Sequence, residues 1–147
     1  MAIFASDARR SAILQSFANL QQQFQQRPEF RVSLMSVEGA SRDLSDAVRA
    51  KLEEGGFDLV TLIHNETSTG VLNDLAGIAK VVKSFPGVLL VVDSVSSFSA
   101  VPINMDALGI DVLLAGVQKA LALPPGLTVF SCSEAALERA KSMPNRG

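Results

Sequence analysis

Three apolar runs in the middle of the chain lack alternation and stop abruptly in polar residues. Asp58-Leu59-Val60-Thr61-Leu62-Ile63 gives way to His64-Asn65-Glu66-Thr67-Ser68-Thr69-Gly70, and Gly87-Val88-Leu89-Leu90-Val91-Val92 to Asp93-Ser94-Val95-Ser96-Ser97. The third, Ile110-Asp111-Val112-Leu113-Leu114-Ala115, ends a few residues before Lys119. Short runs of leucine and β-branched residues without a period of two predict strands buried on both faces, as in parallel sheets covered by helices. Helical stripes separate them. Asp43 to Glu54 turns Leu44, Val48 and Leu52 inward and stops at Gly55-Gly56, while Asp74 to Ser84 is capped by Asn73 or Asp74 and ends before Pro86. Upstream, Met1 to Ser6 reads as a strand remnant. Asp7 to Gln26 reads as a helix opened by Ser6 or Asp7, with Ile13, Leu14, Phe17, Leu20 and Phe24 on one stripe and Gln21 to Gln26 on its solvated side. Pro28 ends that helix and Phe30 to Val37 is the next strand. Downstream come a connector with one helical turn (Pro102 to Leu108), a strand (Leu127 to Ser131) and a helix (Ser133 to Met143) stopped by Pro144. The pattern predicts an α/β fold, a three-layer sandwich around a mostly parallel sheet, as one domain without linker or internal repeat.

In open sheets of this kind ligands sit beyond the carboxyl ends of the strands. Adjacent strands there bring polar residues, the Asp93 carboxylate and the Lys119 amine to one edge. Lys119 is the lone ammonium in an uncharged segment between Asp111 and Glu134. Apolar surroundings would disfavour the ammonium and free the amine for Schiff-base chemistry, whereas a loop lysine would simply extend into water. An imine-forming amine together with a carboxylate that pairs with a pyridinium nitrogen is the minimum kit for pyridoxal phosphate. Asp93 suits that duty, and it equally suits capping a turn made with Ser94 to Ser97. His64, the one histidine, stands at a strand end, where it either touches ligand or makes a structural hydrogen bond.

Charge narrows the alternatives. Against 15 acidic residues stand 13 basic ones, without clusters of one sign, so there is no electrostatic footprint for nucleic acid or an anionic membrane. With 48% hydrophobic residues the chain can build a core, and its apolar runs fall short of a membrane span. The first residues lack a signal-peptide pattern, which leads to the expectation of a cytoplasmic protein. Cys132, the sole cysteine, excludes an internal disulfide and reads as a packed small residue.

Four segments together resemble the class V aminotransferases of the pyridoxal-phosphate fold type I superfamily, and within them the alanine/serine–glyoxylate aminotransferase group. They are His64-Asn65-Glu66-Thr67-Ser68-Thr69-Gly70-Val71, Val92-Asp93-Ser94-Val95-Ser96-Ser97, Gly109-Ile110-Asp111-Val112, and Gln118-Lys119-Ala120-Leu121 followed by Pro124-Pro125-Gly126. The resemblance is firm over residues 57 to 131 and loose over the first forty. It implies that Lys119 forms the Schiff base with the cofactor and later moves the substrate proton, and that Asp93 pairs with the pyridine nitrogen. It further implies that Val95 packs on the cofactor ring, that Thr67 bonds ring substituents, and that Gln118 makes a polar contact beside the lysine. An extended segment would point Val95 the same way as Asp93. The last strand is expected to run antiparallel.

The resemblance also implies a reaction, amino transfer from a small amino acid (alanine or serine) to a small keto acid (glyoxylate or pyruvate). Val117 stands where relatives often carry a hydroxyl residue, an expected weakening of phosphate binding. Cysteine desulfurases share the fold but place a histidine before the lysine and a reactive cysteine well downstream, whereas here Gln118 precedes Lys119 and Cys132 is too close. Family members carry a longer chain. Residues 1 to 147 therefore read as a central part of the large domain, without the phosphate-binding turn, the substrate-carboxylate arginine or the small C-terminal domain. A non-catalytic remnant that binds cofactor weakly is the alternative reading. Homodimerisation, or dependence on a partner chain, is expected.

Overall fold

The computed structural model describes residues 34–37 and 44–143. The strand expected at Met1 to Ser6, the helix at Asp7 to Gln26 and the stops at Pro28 and Pro144 lie outside the described residues. In chain order the elements are β1 (Leu34–Val37), α1 (Leu44–Glu53), β2 (Leu59–Ile63), β3 (Asn65–Glu66), β4 (Val71–Leu72), α2 (Leu75–Lys83), β5 (Leu89–Asp93), α3 (Met105–Leu108), β6 (Val112–Gly116), β7 (Thr128–Cys132) and α4 (Glu134–Ser142). Five strands form one sheet in the order β1-β2-β5-β6-β7. The first four are parallel, and β7 pairs antiparallel with β6, as the resemblance implies.

The register explains where the core lies. Met35 stands beside Val60 and Val60 beside Leu90, while Val37, Leu62, Val92 and Leu113 form the next row. All of these are buried on one face, against Val48 and Leu52 of α1 and Leu75, Ile78, Ala79, Val81 and Val82 of α2. Their i, i+4 spacing places each set on one helical stripe. Burial of both strand faces was expected. Instead β2 and β5 alternate, with Leu59, Thr61, Ile63, Leu89, Val91 and Asp93 half-buried. Aliphatic residues continue onto the less covered face, so the missing period of two reflects composition rather than equal burial.

Local chemistry sets the helix ends. Asp74, not Asn73, caps α2 by accepting the Gly77 N–H at 2.9 Å. Asn73 is buried and donates its side-chain N–H to the Ile63 carbonyl at 2.7 Å. The expected connector turn is α3, capped by Asn104 and closed by Gly109 at φ 64°, the left-handed position that glycine favours. Ser133 caps α4 through the Ala136 N–H.

At the amino edge of the sheet a buried carboxylate joins several elements. Asp111 Oδ2 accepts from Lys83 Nζ and from the Leu90 N–H, both at 2.8 Å, and its Oδ1 accepts from Ser133 Oγ at 2.9 Å. This gives a role to the Gly109-Ile110-Asp111-Val112 segment: it fastens α2, β5, β6 and the start of α4 together. On the far side β7 is an exposed edge, where Phe130 and, just before the strand, Leu127 are each 70% accessible. Cys132 at its end is a free, half-buried thiol. No helix among the described residues is long and apolar enough to cross a membrane.

Candidate active site

β2, β5 and β6 are neighbours and parallel, so the polar residues that follow them meet at the carboxyl edge. Asp93 is the last residue of β5, with Ile63 beside it on β2 and Leu114 on β6. Being out of phase with buried Leu90 and Val92, it projects on the face away from α1 and α2. Its Oδ1 accepts the Val95 N–H at 2.9 Å, the turn-capping bond that its serine-rich flank suggests. Oδ2 has no hydrogen-bond partner among the described residues. One carboxylate oxygen therefore orients the side chain and the other stays available.

Val95 was expected on an extended segment, and here the structure differs. The strand ends at Asp93 and the chain turns, with the Ser94 carbonyl accepting the N–H groups of Ser97 at 3.0 Å and Phe98 at 2.7 Å. Turn geometry, not alternation, places half-buried Val95. Ser94 anchors this turn to β6, since both its N–H and its hydroxyl donate to the Leu114 carbonyl, at 2.9 and 2.7 Å.

The segment after β2 is a small hairpin rather than a plain loop. β3 and β4 pair antiparallel through Asn65 with Leu72 and Glu66 with Val71, and Gly70 turns at φ 71°. Glu66 accepts from the backbone N–H and then the hydroxyl of Ser68, which hold its carboxyl below the usual carboxylate range. Thr67 is exposed, with its Oγ1 2.6 Å from Ser96 Oγ. At the hairpin base the buried His64 places Nδ1 2.9 Å from Ser97 Oγ, and its backbone N–H donates to the Asp93 carbonyl at 2.9 Å. Burial lowers the imidazole pKa. The structural hydrogen bond read for His64 is formed, through Nδ1.

Gln118 and Lys119 follow β6 in a turn closed by the Ala122 N–H to the Lys119 carbonyl, at 2.9 Å. Val117 is buried, but Gln118, Lys119 and Ala120 are exposed. Of the two readings of Lys119, the loop lysine that extends into water is the one seen among the described residues. Lys119 makes no ion pair among the described residues. The Gln118 amide folds back over Gly116, where an added Cβ would stand 2.6 Å from Gln118 Oε1. Among the described residues no group of three or more histidine, cysteine or acidic side chains could hold a metal.

A mostly parallel α/β sheet with polar side chains gathered beyond its carboxyl ends defines a ligand-binding α/β protein of the open-sheet kind. The aminotransferase class-V family model matches residues 13–147, and the chain belongs to that family. It is 36% identical over 122 residues to a serine–glyoxylate aminotransferase of Arabidopsis thaliana, a match covering 80% of this chain and 30% of that protein. An alanine–glyoxylate aminotransferase of Oryctolagus cuniculus is 49% identical over 78 residues, 53% of this chain and 20% of that protein. Among solved structures, an alanine–glyoxylate aminotransferase from Nostoc sp. matches with TM-score 0.66 and 33% identity, over 74% of this chain and 28% of that one. The fold is that of the fold type I aminotransferases. The chain spans less than a third of the length of these relatives.

Proposed function

We propose that this chain carries the ring-side half of a pyridoxal-phosphate site, and that the reaction served is amino transfer from alanine or serine to glyoxylate or pyruvate. The observation that carries the reading is Asp93. Its Oδ1 is fixed by the Val95 N–H, its Oδ2 has no partner among the described residues, and it stands between the strands that lead to Thr67 and to Lys119. That donor set fits the cofactor: a carboxylate for a ring N–H⁺, a hydroxyl for ring substituents and a primary amine for the carbonyl. When bound, pyridoxal phosphate supplies the electron sink that stabilises a carbanion at the substrate α-carbon.

Each residue then has a defined task. Asp93 keeps the proton on the ring nitrogen, because a nearby negative charge favours the protonated ring. Lys119 would hold the cofactor through its Nζ and, once displaced by the donor amine, would move a proton to and from the substrate α-carbon. Val95 would pack on the ring, while Thr67 and Gln118 would bond its polar periphery. In the complete exchange the donor's amino group and α-hydrogen are traded, by way of water, for the acceptor's carbonyl oxygen, so the donor becomes a keto acid and the acceptor an amino acid. The serine–glyoxylate and alanine–glyoxylate aminotransferases among its relatives support glyoxylate as acceptor.

The test is to add pyridoxal phosphate to the purified chain, record the visible spectrum, reduce with borohydride and map the modified lysine by peptide mass. Labelling confined to Lys119, lost in Lys119→Ala and weakened in Asp93→Ala, is expected. Labelling scattered over Lys51, Lys80, Lys83 and Lys141 would favour the non-catalytic reading. Association with a second copy of this chain is part of the same proposal. It draws support from exposed Leu127, Val129 and Phe130 on the β7 edge.

A further inference from the structure

Two serines in the turn after β5 have no part in the assignment above, yet each reaches the preceding hairpin segment. Ser97 Oγ meets His64 Nδ1 at 2.9 Å across 33 residues, and Ser96 Oγ meets Thr67 Oγ1 at 2.6 Å across 29. The inner tie is buried, with His64 and Ser97 5% and 2% accessible; the outer one lies at the surface. Backbone bonds make the inner tie the root of the hairpin. The His64 N–H donates to the Asp93 carbonyl, the His64 carbonyl accepts the Asn73 N–H at 2.8 Å, and Asn73 returns a side-chain bond to Ile63. On its other side the turn is held to β6 by Ser94.

A threonine hydroxyl on an exposed loop has several rotamers open to it, and a partner at 2.6 Å selects among them. Whichever hydroxyl donates, Thr67 Oγ1 keeps at least one lone pair for a ligand. We propose that Ser96 and Ser97 are positioning residues, a two-point clasp that sets the Thr67 hydroxyl and the hairpin base against the Asp93 carboxylate. The proposal rests on the pyridoxal-site reading. Ser97 acts through His64, where burial makes the bond rigid. Ser96 acts through Thr67, where it orients a group without holding the fold.

The outer tie is tested by cofactor affinity of the full chain, with pyridoxal phosphate as the probe, in Ser96→Ala, Ser96→Thr, Thr67→Val and the Ser96→Ala/Thr67→Val pair. Ser96→Ala should weaken binding roughly two- to tenfold, the range of one ordinary hydrogen bond, with an unchanged urea midpoint. Ser96→Thr should restore it, and the effect should vanish in the Thr67→Val background. No weakening, or equal weakening in both backgrounds, overturns the role of Ser96. The inner tie is tested by amide exchange on the cofactor-free chain. Ser97→Ala should speed exchange at Gly70 and Asn73 while Leu90 and Val92 stay protected; unchanged protection at the hairpin overturns it. Should the wild-type chain fail to label at Lys119, the site reading and the role of Ser96 fail together, and the exchange measurement on Ser97→Ala still decides whether the inner tie exists.

Discussion

Asp111→Ala tests whether the amino-edge carboxylate holds the fold. The substitution leaves the Leu90 N–H inside the sheet without its acceptor, at a cost of roughly 1–3 kcal/mol. Ser133 loses one bond, worth ~1 kcal/mol, while keeping its cap on Ala136. The Lys83 side chain is 40% exposed against 3% for Asp111. Its ammonium therefore rehydrates, so the ion pair adds at most ~1 kcal/mol. The total is about 3 kcal/mol. Asp111→Asn is the control: its oxygen can serve Leu90 and Lys83 and its N–H₂ can reach Ser133, so the loss should be about 1 kcal/mol. The chain has neither tryptophan nor tyrosine, so urea unfolding is followed by far-ultraviolet circular dichroism, with an unchanged slope licensing the comparison. Asp111 also lies about 16 Å along β6 from Gly116, so labelling of Lys119 without urea should persist in the Asn variant. An Ala variant within ~0.5 kcal/mol of wild type, the range of neutral surface changes, or an Asn variant as unstable as the Ala variant, would refute the reasoning.

Three further outcomes are expected. The folded imidazole of His64 titrates below its ordinary value of 6.5 because it is buried, so its stability contribution is complete above pH 6.5 and declines below it, as the unfolded chain takes up the proton first. Urea midpoints at pH 7 and pH 5 should thus differ more for wild type than for His64→Gln, and equal differences would sink the argument. Gly116→Ala should displace the flexible Gln118 amide and weaken pyridoxal-phosphate binding with under ~1 kcal/mol change in stability; unchanged affinity would remove Gln118 from the site. Light scattering after size exclusion should give a mass above that of one chain, and a stable monomer would count against association.

Strand positions were legible because short apolar runs that stop at His64, at Asp93 and a few residues before Lys119 leave few other ways to hide aliphatic surface. Helix limits followed from caps and glycines that act locally. Sequence reasoning failed where a tertiary bond decides. The β3–β4 hairpin has strands of two residues, too short for any period; Gly70 was its one signal. The extended segment expected through Val95 is absent because alternation was carried two residues past the strand end, although the Asp-Ser-Val-Ser-Ser composition equally suited a capped turn. The role of Ser96 and Ser97 was invisible, since their partners lie 29 and 33 residues away. For Lys119 the uncharged flanks left a buried and a solvated amine equally legible, and the turn after β6 leaves it exposed.

The two edges of the sheet are built from different chemistry, and this bears on how the site can work. At the amino edge a buried carboxylate is consumed entirely by Lys83, Leu90 and Ser133. At the carboxyl edge the ties are between neutral groups: hydroxyl to imidazole, hydroxyl to hydroxyl and hydroxyl to carbonyl. The second carboxylate there, Glu66, has Oε1 occupied by Ser68. Neutral ties fix geometry without setting a competing charge beside Asp93 or pairing the amine of Lys119. A site that must present one carboxylate to a cationic ring and one unpaired amine to a carbonyl needs that separation. Replacing Ser97 by aspartate would test it, because the new carboxylate would face His64 beside the Asp93 turn and recruit a proton to the imidazole.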